Sequence, residues 1–186
     1  VNDVLTYGLE LSVTSATISV GNTKAIAANY ITFTNGTRTS SKTVTSSASW
    51  SSSNPAVASV SGGSVTAKAT GSATITATYN GYSATATVTV EDDITYDYQL
   101  SPTSVSVVNG RTTKMTAIRR TFTNGSQTNG EDYSSNFTWT SGNTSVATVG
   151  SNGVITGVGA GTATITAKYG GTTLTGTVTV TPNYTY

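Results

Sequence analysis

The chain contains two copies of one sequence pattern, and this internal repeat limits the folds open to its 186 residues. The clearest matches are Thr6 with Thr95, Phe33 with Phe122, Trp50 with Trp139, Ala73 with Ala163 and Val88 with Val178. The spacing is 89 residues up to Val60 and 90 afterwards, so the second copy has gained one residue in a turn. Each copy is large enough to bury a core of its own. We therefore predict two domains, residues 1–92 and 93–186, rather than one barrel built from both copies.

Within each copy, apolar and polar residues alternate with a period of two, which is typical of strands that bury one face. In the first copy, residues 84–90 place alanines and valines on one side and threonines on the other. A similar strand covers residues 73–79, and the Asn80-Gly81 dipeptide between the two predicts a hairpin turn.

Short strands are predicted throughout the rest of each copy, and no helical stripe competes with them. In the first copy they lie near residues 10–20, 23–34, 44–51, 56–60 and 64–69. Seven or so antiparallel strands in each copy must cover one another's apolar faces. We therefore predict an all-β protein in which each copy forms a Greek-key β-sandwich.

One long segment in each copy is rich in serine and threonine. It runs between Phe33 and Trp50 in the first copy and between Thr121 and Trp139 in the second. Such a segment forms either a wide loop or an added hairpin. Loops on a rigid scaffold tolerate variation, so a function specific to one copy is expected there.

The Trp-centred part of each copy resembles a known family. In the first copy the resemblance rests on residues 50–60 (WSSSNPAVASV), 63–67 (GSVTA) and 71–77 (GSATITA). In the second it rests on residues 139–149 (WTSGNTSVATV), 152–157 (NGVITG) and 161–167 (GTATITA). Both are similar to the bacterial immunoglobulin-like domain, group 2. The resemblance implies two tandem immunoglobulin-like sandwiches from a bacterial extracellular or cell-surface protein, and it implies no catalytic, cofactor-binding or ligand-binding residues.

The composition excludes most catalytic chemistry. The chain has neither cysteine nor histidine, so the common nucleophile triads, zinc sites and histidine bases have no candidates. A carboxylate pair remains, but Glu131 and Asp132 are adjacent, and adjacent residues of an extended chain point to opposite sides. We therefore expect a non-enzymatic protein without a cofactor.

The charge and hydropathy patterns also exclude two classes of partner. The formal net charge is +1 with scattered basic residues, which offers no electrostatic footprint for nucleic acid. No apolar stretch approaches the roughly 20 residues of a membrane-spanning helix, so membrane insertion by this segment is not expected. We expect the chain to be a monomer.

The densest acidic cluster lies between the two copies. Glu91, Asp92 and Asp93, with Asp97 nearby, supply the oxygen ligands that calcium accepts. The alternative is a solvated linker, and the corresponding residues after the second copy, 181–183, contain no carboxylate. Calcium at this segment is the one metal site that the sequence suggests.

Aromatic and basic residues provide the other candidates for contact with a ligand. We expect Trp50 and Trp139 to lie in the cores rather than to form sugar platforms, because each occupies a constant place among alternating strands. Exposed aromatic contacts are expected instead from Tyr30, Tyr82, Tyr96, Tyr98 and Tyr133. Arg119 and Arg120, with Arg111 and Lys114 near them, offer one alternative, a site for an acidic ligand. Alternation sends the adjacent pair to opposite faces, so we expect instead a solvated edge strand protected by charge.

These observations leave two functions open. The first is adhesion or surface recognition, with a host or cell-surface protein or a glycan as the partner. The second is a passive spacer within a larger surface protein, which itself binds or modifies carbohydrate. Thr185-Tyr186 repeats Thr95-Tyr96 at the 90-residue spacing, so we also expect a third copy to begin there. The alternative is that residues 183–186 are the natural terminus, with their tyrosines packed back on the second domain.

Overall fold

The computed structural model describes residues 2–184, and these form two compact units, Val1–Asp93 and Ile94–Tyr186. Both are built almost entirely of β-strands, and the described part of the chain has no α-helix. It thus has no helix with the length and apolarity that a bilayer crossing requires. Residues 185 and 186, which suggest a third copy, lie outside the described residues.

The first unit contains ten strands in three sheets. The sheets have the orders β1-β4-β5, β2-β10-β9-β6 and β3-β8-β7. The strands are β1 Leu5–Leu11, β2 Ser15–Ser19, β3 Thr23–Ala25, β4 Ala28–Thr34, β5 Thr37–Thr43, β6 Ser49–Ser52, β7 Ala58–Ser61, β8 Ser64–Ala67, β9 Gly71–Tyr79 and β10 Tyr82–Glu91.

The second unit repeats this arrangement. Its sheets have the orders β11-β14-β15, β12-β20-β19-β16 and β13-β18-β17, and a single 3-10 turn covers Ser134–Asn136. The strands are β11 Ile94–Ser101, β12 Ser104–Val108, β13 Thr112–Lys114, β14 Thr116–Thr123, β15 Ser126–Asp132, β16 Thr138–Ser141, β17 Ala147–Val149, β18 Val154–Gly157, β19 Gly161–Tyr169 and β20 Thr172–Thr181.

The alternating strands bury their alanine, valine and isoleucine face, as their period predicts. In the first unit, Ile75 of β9 and Val88 of β10 meet Val65 of β8 in one core cluster, and all three are fully buried. The threonines between them lie on the other face of the four-stranded sheet. This places the immunoglobulin-like core between the four-stranded sheet and the short β3-β8-β7 sheet.

One strand pair in each unit is parallel, contrary to the antiparallel arrangement that we predict from the sequence. β2 runs parallel to β10, with Ala16 opposite Val88, and β12 runs parallel to β20, with Val105 opposite Val178. Alternation identifies which residues share a face but carries no information about strand direction. Strands β3–β9 lie between β2 and β10 in sequence, and β13–β19 lie between β12 and β20, so each pair has the long crossover that parallel strands need.

The long polar segment of each unit forms an added hairpin, one of the two alternatives that the sequence leaves open. β5 pairs with β4, and β15 pairs with β14, each with a register shift at the phenylalanine. Both turns place Asn-Gly at positive φ, with 51° at Asn35 and 81° at Gly36 in the first unit. Glycine and asparagine tolerate this region, and such turns suit hairpins. All seven residues of β5 and all seven of β15 are exposed.

The two tryptophans pack against the cores of their units, and Trp139 is more buried than Trp50. Trp139 is 8% exposed, and its indole N–H donates to the Ser134 carbonyl at 2.9 Å. Trp50 is half-buried against the core and makes the same bond to Thr45. The Trp139 ring lies so close to Gly153 that a Cβ there would come 2.9 Å from it and 2.1 Å from the Met115 carbonyl oxygen. The core assignment made from the sequence therefore describes Trp139 fully and Trp50 in part.

We expect Trp139→Ala to destabilise the second unit by about 3–5 kcal/mol, because it leaves a cavity at a buried aromatic. Trp50→Ala should cost the first unit less, because part of that ring already contacts solvent. Denaturant unfolding followed by amide NMR signals from each unit measures the two changes separately. Equal losses, or no loss at Trp139, would contradict the burial order.

We also expect the two units to fold separately, since each has its own core clusters. Cutting the chain between Asp93 and Ile94 should give two soluble fragments with dispersed amide spectra. A fragment that stays unfolded alone and folds only on mixing with the other would show a shared core.

Candidate functional site

Four tyrosines form a cluster in the first unit, called here the tyrosine cluster: Tyr7, Tyr30, Tyr79 and Tyr82. Tyr30 lies at its centre. The Tyr7 ring stacks on it with centroids 5.5 Å apart and planes 8° from parallel. Tyr79 and Tyr82 meet it edge-on at 5.3 and 5.9 Å. Burial raises the pKa of the Tyr30 phenol, and Tyr82 raises it further.

Strand register brings these four residues together. Tyr7 of β1 and Tyr30 of β4 lie on the face that carries Leu11 and Ala28 into the core. Tyr79 and Tyr82 flank the turn of the β9–β10 hairpin. The inner rings, Tyr30 and Tyr79, pack on buried alanines, whereas Tyr7 and Tyr82 are 39% and 37% exposed. The cluster therefore covers one part of the core and presents two rings to solvent.

The second unit has an arginine in the middle of the corresponding cluster, called here the arginine cluster: Tyr96, Tyr98, Arg119, Tyr133 and Tyr169. The Arg119 guanidinium carbon lies 4.9 Å from the Tyr96 ring centroid and 4.6 Å from that of Tyr133. Arg119 also pairs with Glu131 across β14 and β15. Cation–π contacts and the ion pair together hold the guanidinium in place.

Matching the two clusters through the repeat shows which residues differ. At the 89-residue spacing Tyr7 corresponds to Tyr96, Tyr30 to Arg119, and Lys42 to Glu131. Lys42 lies on the added strand β5 directly opposite Tyr30, and Glu131 lies on the added strand β15 directly opposite Arg119. Arg119 is neutralised by Glu131, whereas Lys42 has no ion-pair partner among residues 2–184. The same place in the fold thus carries different chemistry in each unit.

Arg119 and Arg120 lie on opposite faces, as predicted, but the expected edge strand is wrong. β14 is the central strand of its sheet, between β11 and β15. Arg120 donates two hydrogen bonds to the Asp97 carboxylate, at 2.7 and 2.6 Å. Alternation predicted the faces but not the strand order, because the added strand β15 covers what would have been the edge.

The adjacent carboxylates Glu131 and Asp132 contact different cations. Glu131 pairs with Arg119, and Asp132 accepts a hydrogen bond from the Lys114 ammonium at 2.7 Å. The side-chain hydrogen bond from Lys114 lowers the pKa of Asp132 to about 2, with bonds from Ser134 adding to the effect.

The acidic linker residues lie on two strands and on the segment between them. Glu91 ends β10, Asp92 and Asp93 follow it, and Asp97 lies in β11 bound to Arg120. Residues 2–184 contain no group of three or more His, Cys, Asp or Glu side chains able to hold one metal ion. Calcium at this segment stays a prediction from the sequence.

A shallow groove of about 380 Å³ lies beside Trp139 in the second unit. It is also lined by Thr140, Ser141, Thr144, Thr148 and Val149. Because Trp139 is almost fully buried, the groove offers little of its ring to a ligand.

Of the five tyrosines predicted to be exposed, Tyr82 and Tyr96 are exposed. The prediction is wrong for Tyr30, Tyr98 and Tyr133, which are half-buried because they pack within the two clusters. The prediction did not include Tyr7, Tyr79 and Tyr169. A signal for Tyr7 was present, because it repeats as Tyr96 in the second copy. Tyr79 and Tyr169 end β9 and β19 beside hairpin turns. The Tyr79 and Tyr169 rings reach the other tyrosines only because their hairpins pack against the β1-β4-β5 and β11-β14-β15 sheets.

A family model, the bacterial Ig-like domain (group 2), matches residues 11–90 and 96–181. The chain belongs to this family. Its two matched regions cover most of the sequence, and the fold described above is the immunoglobulin-like sandwich that the resemblance implied.

The chain is also similar to individual proteins. It is 35% identical over 145 residues to ice-binding protein 1 of Shewanella frigidimarina, covering 75% of this chain and 16% of that protein. Among solved structures, domains 1–6 of the surface layer protein SbsC match 97% of this chain and 28% of theirs, at 21% identity and a TM-score of 0.43. The EC1-2 fragment of human protocadherin-24 matches 94% of this chain and 98% of its own, at 14% identity and a TM-score of 0.45.

We expect the second unit to lose stability as pH falls from the ordinary carboxyl value of 3.8 to about 2. A carboxyl with a lowered folded-state pKa stabilises the fold above its unfolded pKa, and this contribution is lost as pH falls through the folded value. The loss should be modest, because the Asp132 side chain is 49% exposed. The unfolding temperature should depend less on pH in the Asp132→Asn variant than in the unchanged chain across this range. An equal dependence in both proteins would contradict the lowered pKa of Asp132.

Proposed function

We propose that this chain is a non-catalytic recognition module of a bacterial extracellular or cell-surface protein. The observation that carries the proposal is the pair of matched aromatic clusters. On one scaffold, at one place, the two units present partly exposed rings with different charged neighbours. Recognition of a partner predicts such a difference at matched surface positions, whereas a passive spacer does not.

Four of the eight carboxylates support a non-catalytic role. Glu10, Asp97, Glu131 and Asp132 are all engaged in ion pairs, with Arg38, Arg120, Arg119 and Lys114 respectively. A general acid or base must instead face a substrate in a cleft at a pKa near the working pH. The lowered pKa of Asp132 is far from that condition.

The competing function is a passive spacer. It is favoured by the exposed threonine faces of β10 and β20, which keep long strands soluble without offering charge or apolar surface. Tandem immunoglobulin-like units suit this role because each can carry its own core. The two functions differ in whether the isolated chain binds anything.

Binding of the purified chain to a glycan array and to immobilised extracellular-matrix proteins tests the proposal. We expect saturable binding to one ligand class and no release of product from glycoside or ester substrates. Incorporation into growing ice belongs in the same panel, because one relative is named as an ice-binding protein. Binding to no member of the panel would favour the spacer, and turnover of any substrate would contradict a non-catalytic module.

A further inference from the structure

The tyrosine cluster and Lys42 make one exposed surface on the first unit. Lys42 of β5 lies directly opposite Tyr30 of β4, so both side chains project from the same face of the sheet. Leu5 of β1, on that face as well, is 53% exposed. We propose that this surface binds a carbohydrate chain that carries carboxylates. The inference rests on the proposed recognition function and names its ligand class and site.

The ring geometry suits a sugar. Tyr7 is covered on one side by the parallel Tyr30 ring, so its exposed part includes the opposite side. The C–H face of a pyranose carries partial positive charge, which the negative face of an aromatic ring attracts. Tyr30 also holds Tyr82 edge-on, so the platform is ordered before a ligand arrives. Tyrosine loses little conformational freedom on binding, because it has only two side-chain torsions.

Polar groups on the same face supply the remaining contacts. Thr32 lies opposite Tyr7, and Ser40 lies opposite Thr32 on the added strand. Hydroxyls donate and accept, as the hydroxyls of a sugar do, and the Lys42 ammonium brings three donors and a positive charge. No carboxylate of residues 2–184 forms an ion pair with Lys42. A uronate carboxylate from the ligand would supply the missing charge.

This surface fits a polysaccharide better than a protein. Protein hot spots place aromatic anchors in packed pockets from which water is excluded. Here two of the four rings are more than a third exposed, and exposed serines, threonines and Lys42 of β5 border them. A hydrated polyol tolerates such an open site, because its hydroxyls bond to side chains and to water alike.

The second unit provides a built-in reference. Arg119 replaces Tyr30 and is neutralised by Glu131, which replaces Lys42. Thr172 takes the place of Tyr82 at the start of β20. That unit therefore lacks the cation and the Tyr82 ring at this place, although Tyr96 and Tyr169 are 53% and 36% exposed. We expect it to contribute less than the first unit to binding of an acidic ligand.

The experiment measures binding of the full chain to polygalacturonate by calorimetry, with highly methyl-esterified polygalacturonate as the neutral ligand on the same backbone. Lys42→Gln should weaken binding to the acidic polymer about two- to fivefold, the range of an exposed ion pair. It should leave binding to the ester unchanged. Tyr82→Thr, which copies the second unit, should weaken binding to both polymers about two- to tenfold.

Arg38→Gln is the matched control. It lies on the same strand as Lys42 and changes the net charge equally, but it pairs with Glu10 on the opposite face. Its affinity for the acidic polymer should stay close to that of the unchanged chain. Unfolding temperatures of all three variants separate loss of binding from loss of fold.

Four results would overturn the proposal. Equal effects of Lys42→Gln and Arg38→Gln would show that only net charge matters. Binding that survives Tyr82→Thr and Lys42→Gln unchanged would place the site elsewhere. Failure to bind polygalacturonate, while the chain binds a neutral glycan or a protein, would reject the ligand class and leave the recognition function standing. A chain that binds nothing in either panel would remove both.

Discussion

Burial of small, alternating apolar residues by the β9–β10 hairpin is the interaction on which each unit depends. Ile75 and Val88 are fully buried and pair through their strands with alanines, so the sheet approaches β8 closely. The same strands expose threonine on their other face, which lets a chain with few charges stay hydrated. Every other sheet of the unit is positioned against this hairpin.

The aromatic clusters follow from that packing. The β9–β10 hairpin ends against the sheet that carries Tyr7 and Tyr30, and its flanking tyrosines complete the cluster. Because the hairpin is held along its length by core contacts, the end can vary without loss of the fold. The replacement of Tyr82 by Thr172 in the second copy is such a variation. On the facing sheet Arg119 replaces Tyr30, and its guanidinium takes the position between two aromatic rings.

The added hairpins place a charged side chain beside each cluster. β5 and β15 contribute nothing to the core, since all their residues are exposed. They bring Lys42 beside Tyr30 in one unit and Glu131 beside Arg119 in the other. Two substitutions, Tyr30 to Arg119 and Lys42 to Glu131, thus distinguish a cationic surface from one that is internally neutralised.

The sequence alone determined the two copies, the all-β fold, the buried face of each long strand and the family, because these depend on local period and on repeated motifs. It also predicted the core position of Trp139. The parallel β2–β10 pair, the central place of β14 and the grouping of Tyr7 with Tyr79 were decided only by the tertiary structure. Alternation specifies which side of a strand is buried, whereas strand order and the contacts between distant residues arise only when whole sheets pack together.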